Sequence, residues 1–112
     1  MKKLLLTVVL LLSANLYAFN WMPATMQIYV GAQQIQGQVF NNTPYALIKC
    51  RGRIFGRTQY NQVGYANFCL NIPRGGYAYA YLTAYGINYF TQGWSEVYCS
   101  PITPMQAHLP CY

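Results

Sequence analysis

Apolar and polar residues alternate in short runs along most of the chain. Near residue 50, for example, Ile48, Cys50 and Ile54 alternate with Lys49 and Arg51. A period of two residues is typical of β-strands, and no stretch beyond residue 18 keeps the spacing of an amphipathic helix. The pattern predicts strands at 26–30, 35–40, 48–55, 65–72, 77–85 and 95–100.

Turn-forming residues separate these strands. The run Asn-Asn-Thr-Pro at 41–44 predicts a turn, and Pro-Arg-Gly-Gly at 73–76 is the clearest hairpin signal in the chain. Prolines at 101, 104 and 110 predict an irregular C-terminal tail from about residue 101. Six or seven short strands in so short a chain predict an all-β fold, either a β-sandwich or a small barrel.

The first eighteen residues have the pattern of a secretory signal peptide. Two lysines precede an apolar run at 4–12, and a polar and small-residue stretch follows up to Ala18. The apolar run is too short to cross a bilayer, which takes about 20 residues. We therefore expect 1–18 to be cleaved and 19–112 to be a single exported domain, in the bacterial periplasm or outside the cell. A retained N-terminal anchor is the alternative.

Four cysteines follow the expected cleavage point, at 50, 69, 99 and 111. An even number in an exported chain predicts two disulfides. Zinc is the weaker alternative, because no Cys-x-x-Cys pair exists and His108 is the only histidine. Three pairings are open. The alternation predicts that Cys50 and Cys99 point inward, where a disulfide between them would join two sheets across the core. It predicts that Cys69 points outward, where a disulfide to Cys111 would hold the tail. One β-bulge would reverse either orientation.

Two segments contain strand-and-turn motifs of a known kind. Residues 35–44 read Ile-Gln-Gly-Gln-Val-Phe-Asn-Asn-Thr-Pro, and 64–77 read Gly-Tyr-Ala-Asn-Phe-Cys-Leu-Asn-Ile-Pro-Arg-Gly-Gly-Tyr. The first is similar to the opening strand and turn of carboxypeptidase-regulatory-like (transthyretin-like) domains, and the second resembles their Pro-x-Gly-x-Tyr hairpin. The resemblance covers about a quarter of the mature chain. It implies a seven-stranded, Ig-like or prealbumin-like β-sandwich with a binding or structural role and no catalytic residues.

The scarcity of acidic residues limits the chemistry. The chain has 7 Lys+Arg against a single acid, Glu96, and charged residues make up only 7% of it. Paired-carboxylate glycosidases, two-metal nucleases and Ca²⁺ sites are therefore excluded. His108 and Glu96 are the only proton carriers near neutral pH, and His108 lies in the proline-rich tail. We expect no enzymatic activity, no metal and no cofactor; a metal-free reaction that uses His108 is the remote alternative.

A basic stripe is the first candidate binding feature. Lys49, Arg51 and Arg53 have odd numbers in one predicted strand, so they share one face, and Arg57 continues the stripe beyond Phe55. They are four of the five basic residues after position 18, and with one acid that region has a net charge of +4. Such a stripe suits an anionic polymer, a glycan or a lipid phosphate. A solvated face that merely keeps the sheet soluble is the alternative.

A tyrosine ladder is the second candidate. Tyr77, Tyr79 and Tyr81 alternate with alanines and share one face of a predicted strand. Exposed, they would form an aromatic platform for sugar rings or bases. They are equally suited to packing beneath a loop or the tail, and adjacency to the basic stripe is not readable from sequence.

Together these features predict a small, exported, non-enzymatic binding protein that contacts an anionic or glycan-bearing partner through the stripe and the ladder. The alternative is a protein-binding accessory, either an enzyme inhibitor or a subunit of a cell-envelope complex. The polar surface is rich in glutamine and poor in charge, which also leaves a homo-oligomer open.

Overall fold

The structure, a computed structural model, describes residues 19–111 and is all-β. It contains seven strands, and a short 3₁₀ helix near the C-terminus is the only helix in the described range. No helix between residues 19 and 111 is long and apolar enough to cross a membrane. The expected signal peptide at 1–18 lies outside the described residues, as does Tyr112. The elements are β1 Met22–Ala24, β2 Gln27–Val30, β3 Gln34–Phe40, β4 Leu47–Thr58, β5 Val63–Pro73, β6 Tyr77–Thr83, β7 Phe90–Pro101 and the helix Pro104–His108.

The strands form two antiparallel sheets. The larger has the order β1-β7-β4-β5, and the smaller has the order β2-β3-β6. In the larger sheet β4 pairs along nearly its whole length with β5 on one side and β7 on the other. Two layers that bury their inner faces against each other make a sandwich, which confirms the predicted fold class.

The core lies between the sheets and is built from the inward residues of the alternating runs. Ile35, Ile54 and Ile72 are fully buried. The layers approach closely at glycines: a Cβ on Gly93 would lie 2.9 Å from the Cδ1 of Ile35. The buried apolar residues that form this core are Ile35, Val39, Ile48, Cys50, Ile54, Phe68, Ile72, Ala80, Ala84, Phe90 and Val97.

Several strand ends differ from the predictions by one to three residues, and three differences are larger. β1 was not predicted, because a three-residue strand has no readable period. The last strand begins at Phe90 rather than at 95, so that it can follow the full length of β4. The turn at 73–76 is present, since Gly76 N–H donates to the Pro73 carbonyl at 2.9 Å, but the hairpin is wrong. β5 and β6 belong to different sheets, because this turn carries the chain from one layer to the other.

The two disulfides join Cys50 to Cys99 and Cys69 to Cys111, the pairing that the strand phase favours. The predicted bridge between sheets is wrong, however. Cys50 and Cys99 are register partners on the adjacent strands β4 and β7, with their Cα atoms 4.1 Å apart. The alternation within a strand predicts whether a residue points inward, whereas the order of the strands determines which residue lies next to it there. Cys69 lies at an exposed position on β5 and holds the tail through Cys111, as expected.

Candidate binding surfaces on the two sheets

The predicted basic stripe does lie on one face of β4. Ile48, Cys50 and Ile54 are buried toward the core, so the odd-numbered positions between and beyond them point outward. Lys49, Arg51, Arg53 and Arg57 therefore share the outer face of the four-stranded sheet. They do not share the same environment along it.

Lys49 is not a surface cation. Its side chain is only 1% exposed, and its Nζ donates to the carbonyl oxygen of Ala107 at 3.2 Å. Burial lowers the pKa of the Lys49 ammonium from its ordinary value. The expectation that Lys49 contacts an anionic partner is therefore corrected: the tail, 58 residues later in the chain, covers it.

The tail covers this end of the stripe because several contacts hold it there. The Asn71 side chain on β5 donates to the same Ala107 oxygen at 2.9 Å, and the Cys69–Cys111 disulfide ties the last described residue to β5. Arg51 Nη1 donates to the Cys111 carbonyl at 3.0 Å. Arg51 therefore helps to hold the tail and is also part of the stripe, and its side chain is half-buried. The side chain of Arg53 is exposed.

Each of the three arginines stands over an aromatic ring from another segment. Such cation–π pairs favour the guanidinium at a fixed height above the ring and limit its rotamers. The pairs, with distances from Cζ to the ring centroid, are Arg51 over Trp21 at 4.2 Å, Arg53 over Tyr65 at 5.0 Å and Arg57 over Trp94 at 5.8 Å.

Phe55 joins these pairs into one band. Its ring stacks on Trp94, with centroids 5.5 Å apart and planes 4° apart, and lies 6.0 Å from Tyr65. Between β4 and β7 the band borders an open cavity of about 410 Å³ lined by Arg51, Gly52, Arg53, Glu96 and Tyr98. We call this surface the arginine–aromatic face; its members are Trp21, Arg51, Arg53, Phe55, Arg57, Tyr65, Trp94 and Tyr98.

Glu96 stands on this same surface. It is the register partner of Arg53 across β4 and β7, and it is exposed. In sequence the basic stripe has no acid near it, because Glu96 is 43 positions away from Arg53 in numbering. Strand pairing brings the single acid of the chain beside the most exposed arginine of the stripe, so the face is positive but not uniformly so.

The tyrosine ladder is exposed on the outer face of the three-stranded sheet. Tyr77, Tyr79 and Tyr81 are 56%, 37% and 48% exposed. Neighbouring ring centroids are 5.3 Å apart between Tyr77 and Tyr79 and 6.2 Å apart between Tyr79 and Tyr81, and Phe40 on β3 extends the row at 5.9 Å. Partial burial, and then the neighbouring hydroxyls of Tyr77 and Tyr81, raise the pKa of Tyr79.

The two candidate surfaces face away from each other. The arginine–aromatic face belongs to the sheet that contains β4, and the ladder belongs to the sheet that contains β6. Each points outward from its own layer, since Ile54 and Ala80 on the same strands are buried between the layers. The stripe and the ladder therefore do not form one continuous contact surface, and the tail packs on the stripe rather than on the ladder.

Four aromatic members of the arginine–aromatic face are absent from the predicted site: Trp21, Tyr65, Trp94 and Tyr98. The alternation in β7 already places Trp94 and Tyr98 on the same side of that strand as Glu96. That signal was available in the sequence. What the sequence lacks is the strand order, which sets β7 and β5 on either side of β4.

Of the two remaining candidates for chemistry, Glu96 lies beside Arg53 on the arginine–aromatic face and His108 lies in the tail. His108 is exposed at the end of the 3₁₀ helix, and Glu96 is exposed in β7. Within residues 19–111 no group of three or more His, Cys, Asp or Glu side chains is placed to hold a metal ion. All four cysteines are in disulfides.

Comparison of the chain with protein-family models, with curated proteins and with solved structures finds no match in any of the three. The two surfaces must therefore be interpreted from their own geometry.

Proposed function

We propose that this protein is an exported, non-enzymatic binding protein that holds an anionic glycan or lipid on its arginine–aromatic face. The observation that carries the proposal is the row of three arginines, each held over an aromatic ring on one exposed sheet. The partner class is a glycan or lipid that bears phosphate, sulfate or carboxylate groups.

Ring-supported guanidinium groups are suited to this task. A guanidinium that lies over a ring keeps its N–H edges directed sideways, where they can donate two parallel hydrogen bonds to a phosphate or carboxylate. The rings limit side-chain motion in advance, so less conformational entropy is lost on binding. Exposed rings such as Tyr65, 55% exposed, add apolar surface against which sugar rings can stack.

The charge of the chain supports the same partner. After residue 18, where we expect cleavage, five basic residues and one acid give the chain a formal net charge of +4. A positive protein with three arginines on one face raises the local concentration of anions there and speeds their association. Lys49 takes no direct part, because the tail covers it.

Two observations of different kinds support the proposed location. Residues 1–18 have the pattern of a signal peptide. The domain that follows has two disulfides, which form and persist in oxidising compartments such as the bacterial periplasm or the extracellular space.

Heparin chromatography of the oxidised protein, run at several salt concentrations, tests the proposal. Arg53→Gln removes an exposed guanidinium from the face, and Arg74→Gln removes the same charge from the exposed turn between β5 and β6. We expect Arg53→Gln to elute at clearly lower salt and to reduce the salt dependence by about one released counterion, because a specific contact is lost. Arg74→Gln should shift elution only slightly.

Two results would count against the proposal: weak retention of the unaltered protein at low salt, or equal shifts in the two variants. The second result would mean that net charge alone, and not the face, causes the retention. Arg51 is left intact in this comparison, since its contact with the Cys111 carbonyl supports the tail.

A protein-binding accessory is the second candidate, and the tyrosine ladder favours it. Tyr77, Tyr79, Tyr81 and Phe40 form an exposed aromatic row on a strand pair without a charged residue. An interface of this kind responds little to salt, whereas polymer binding weakens steeply as salt rises. Binding to a partner that survives high salt and is lost in Tyr81→Ser would favour this second function.

A further inference from the structure

The outer edge of β6 is the least protected strand edge of the molecule. β6 is an edge strand of the three-stranded sheet and has seven residues, compared with four in β2, the opposite edge of that sheet, and three in β1, an edge of the larger sheet. Short edge strands limit pairing with other chains, and charged residues or prolines do the same. Strand 77–83 contains no charged residue and no proline.

The fourth edge strand, β5, has other features that limit pairing with a further strand. It ends at Pro73, which has no N–H to donate, and its Cys69 is tied to the tail by a disulfide. β6 has neither feature. Of the edges in the described part of the chain, β6 is therefore the one most open to a further strand.

The backbone groups that face this open edge can be assigned from the register. Ala84 N–H donates to the Gln33 carbonyl, and Asn41 N–H donates to the Gly76 carbonyl, just beyond the two ends of the β3–β6 ladder. Hydrogen-bonded pairs recur at every second residue of an antiparallel ladder, so the even-numbered residues of β6 bond to β3. The N–H and C=O groups of Tyr77, Tyr79 and Tyr81 consequently point away from the sheet.

We propose that β6 pairs with β6 of a second copy of this chain, antiparallel and centred on Tyr79, so that the two three-stranded sheets become one continuous six-stranded sheet. Tyr79 would then be opposite Tyr79 of the second copy, and Tyr77 opposite Tyr81. These are hydrogen-bonded pairs, each of which exchanges two N–H···O bonds. The interface is isologous and closes as a two-fold dimer.

The identity of the occupant follows from charge and side-chain pattern. Arg74, the charged residue nearest to β6 along the chain, lies five positions before Tyr79. In the antiparallel dimer the two copies of Arg74 are therefore about 30 Å apart, well beyond the screening length of about 8 Å at physiological salt. The tyrosines of both copies line one outer face as cross-strand aromatic pairs, which stabilise antiparallel sheets. Strand 77–83 is thus complementary to itself.

Sedimentation equilibrium from micromolar to near-millimolar concentration tests the proposal with three variants at one position. Tyr79→Lys sets two ammonium groups opposite each other at the two-fold axis and should raise the dimer dissociation constant at least about tenfold. Tyr79→Pro removes an N–H that only the second copy would use, and it should have a similar effect. Tyr79→Thr keeps a neutral strand former and should retain the dimer.

Backbone amide exchange supplies a second readout that does not depend on the side chain changed. In the unaltered protein the amides of Tyr77, Tyr79 and Tyr81 should exchange more slowly as concentration rises, while those of Ala78 and Ala80 are protected throughout. A protein that stays monomeric at the highest concentration would overturn the proposal. So would a dimer that persists in Tyr79→Lys, or one in which the odd-numbered amides gain no protection.

Discussion

Loss of the Cys69–Cys111 disulfide should detach the tail from β5 and expose Lys49. The disulfide and the contacts of Asn71 and Lys49 with the Ala107 carbonyl hold the tail on the outer face of the larger sheet. The two hydrogen bonds to Ala107 share one acceptor, and Arg51 Nη1 donates a third to the Cys111 carbonyl; each of the three contributes only about 1 kcal/mol. Without the covalent link, these hydrogen bonds must offset the conformational entropy that the proline-containing tail loses when it is held on the sheet.

The cost to stability follows from the length of the closed loop. The two cysteines are 42 positions apart, for which the loss of loop closure in the unfolded chain amounts to about 4 kcal/mol. Cys50 and Cys99 are 49 positions apart, which gives about the same figure. The two disulfides therefore contribute similar entropic stability, yet only one of them holds the tail.

Lysine acylation provides the assay, because Lys49 is the only lysine after residue 18. In the unaltered protein it should react slowly, since its side chain is 1% exposed. In Cys69→Ala/Cys111→Ala the rate at Lys49, followed by peptide mass, should rise at least about tenfold while circular dichroism still shows a folded sheet.

The matched control is Cys50→Ala/Cys99→Ala, which loses similar loop entropy but keeps the tail attached. If Lys49 reacts equally fast in both double variants, its exposure reports global opening and not detachment of the tail. If it reacts quickly in the unaltered protein, the tail does not cover it and the reasoning fails. The first result would refute the role of the disulfide in holding the tail, and only the second would restore Lys49 to the list of surface cations.

Two further predictions concern β4. Burial holds the pKa of Lys49 below its ordinary value of 10.5, so the stabilisation gained on deprotonation is present above pH 10.5 and is lost as the pH falls through the folded-state pKa. Chemical denaturation should therefore show the unfolding free energy of the natural protein rising, relative to Lys49→Met, as the pH approaches 10.5; a constant difference would show that Lys49 is solvated. Gly52→Ala should destabilise by about 3 kcal/mol, because the new Cβ would overlap the carbonyl oxygen of Glu96 and force β4 away from β7. Gly64→Ala, where no atom lies within 4 Å of the added Cβ, should change stability by less than about 1 kcal/mol, and equal losses at the two sites would contradict this account.

Fewer of the predicted binding residues lie at the surface than the sequence pattern indicates. Arg51, Arg53 and Arg57 are on the outer face as expected, and Tyr77, Tyr79 and Tyr81 form an exposed row. Lys49 is removed from the stripe by the tail. The arginines gain aromatic partners that no local pattern indicates, since Arg57 and Trp94 are 37 positions apart in numbering.

The sequence alone determines which way most side chains point. A strand turns successive residues to opposite faces, so the alternation around residue 50 places Cys50 inward and Arg51 outward whatever the neighbouring strands are. The even number of cysteines, the short strands and the turn residues likewise determine an all-β, disulfide-linked domain.

Only the tertiary structure decides what those side chains meet. Strand order, which depends on long-range pairing and not on local period, makes Cys50 a neighbour of Cys99 within one sheet and brings Phe55 onto Trp94. It also sends β5 and β6 into different layers, so the basic stripe and the tyrosine ladder face opposite directions. Local sequence specifies the phase of each strand because phase is a property of a few adjacent residues; neighbours across strands are set by packing of the whole chain, which no local window contains.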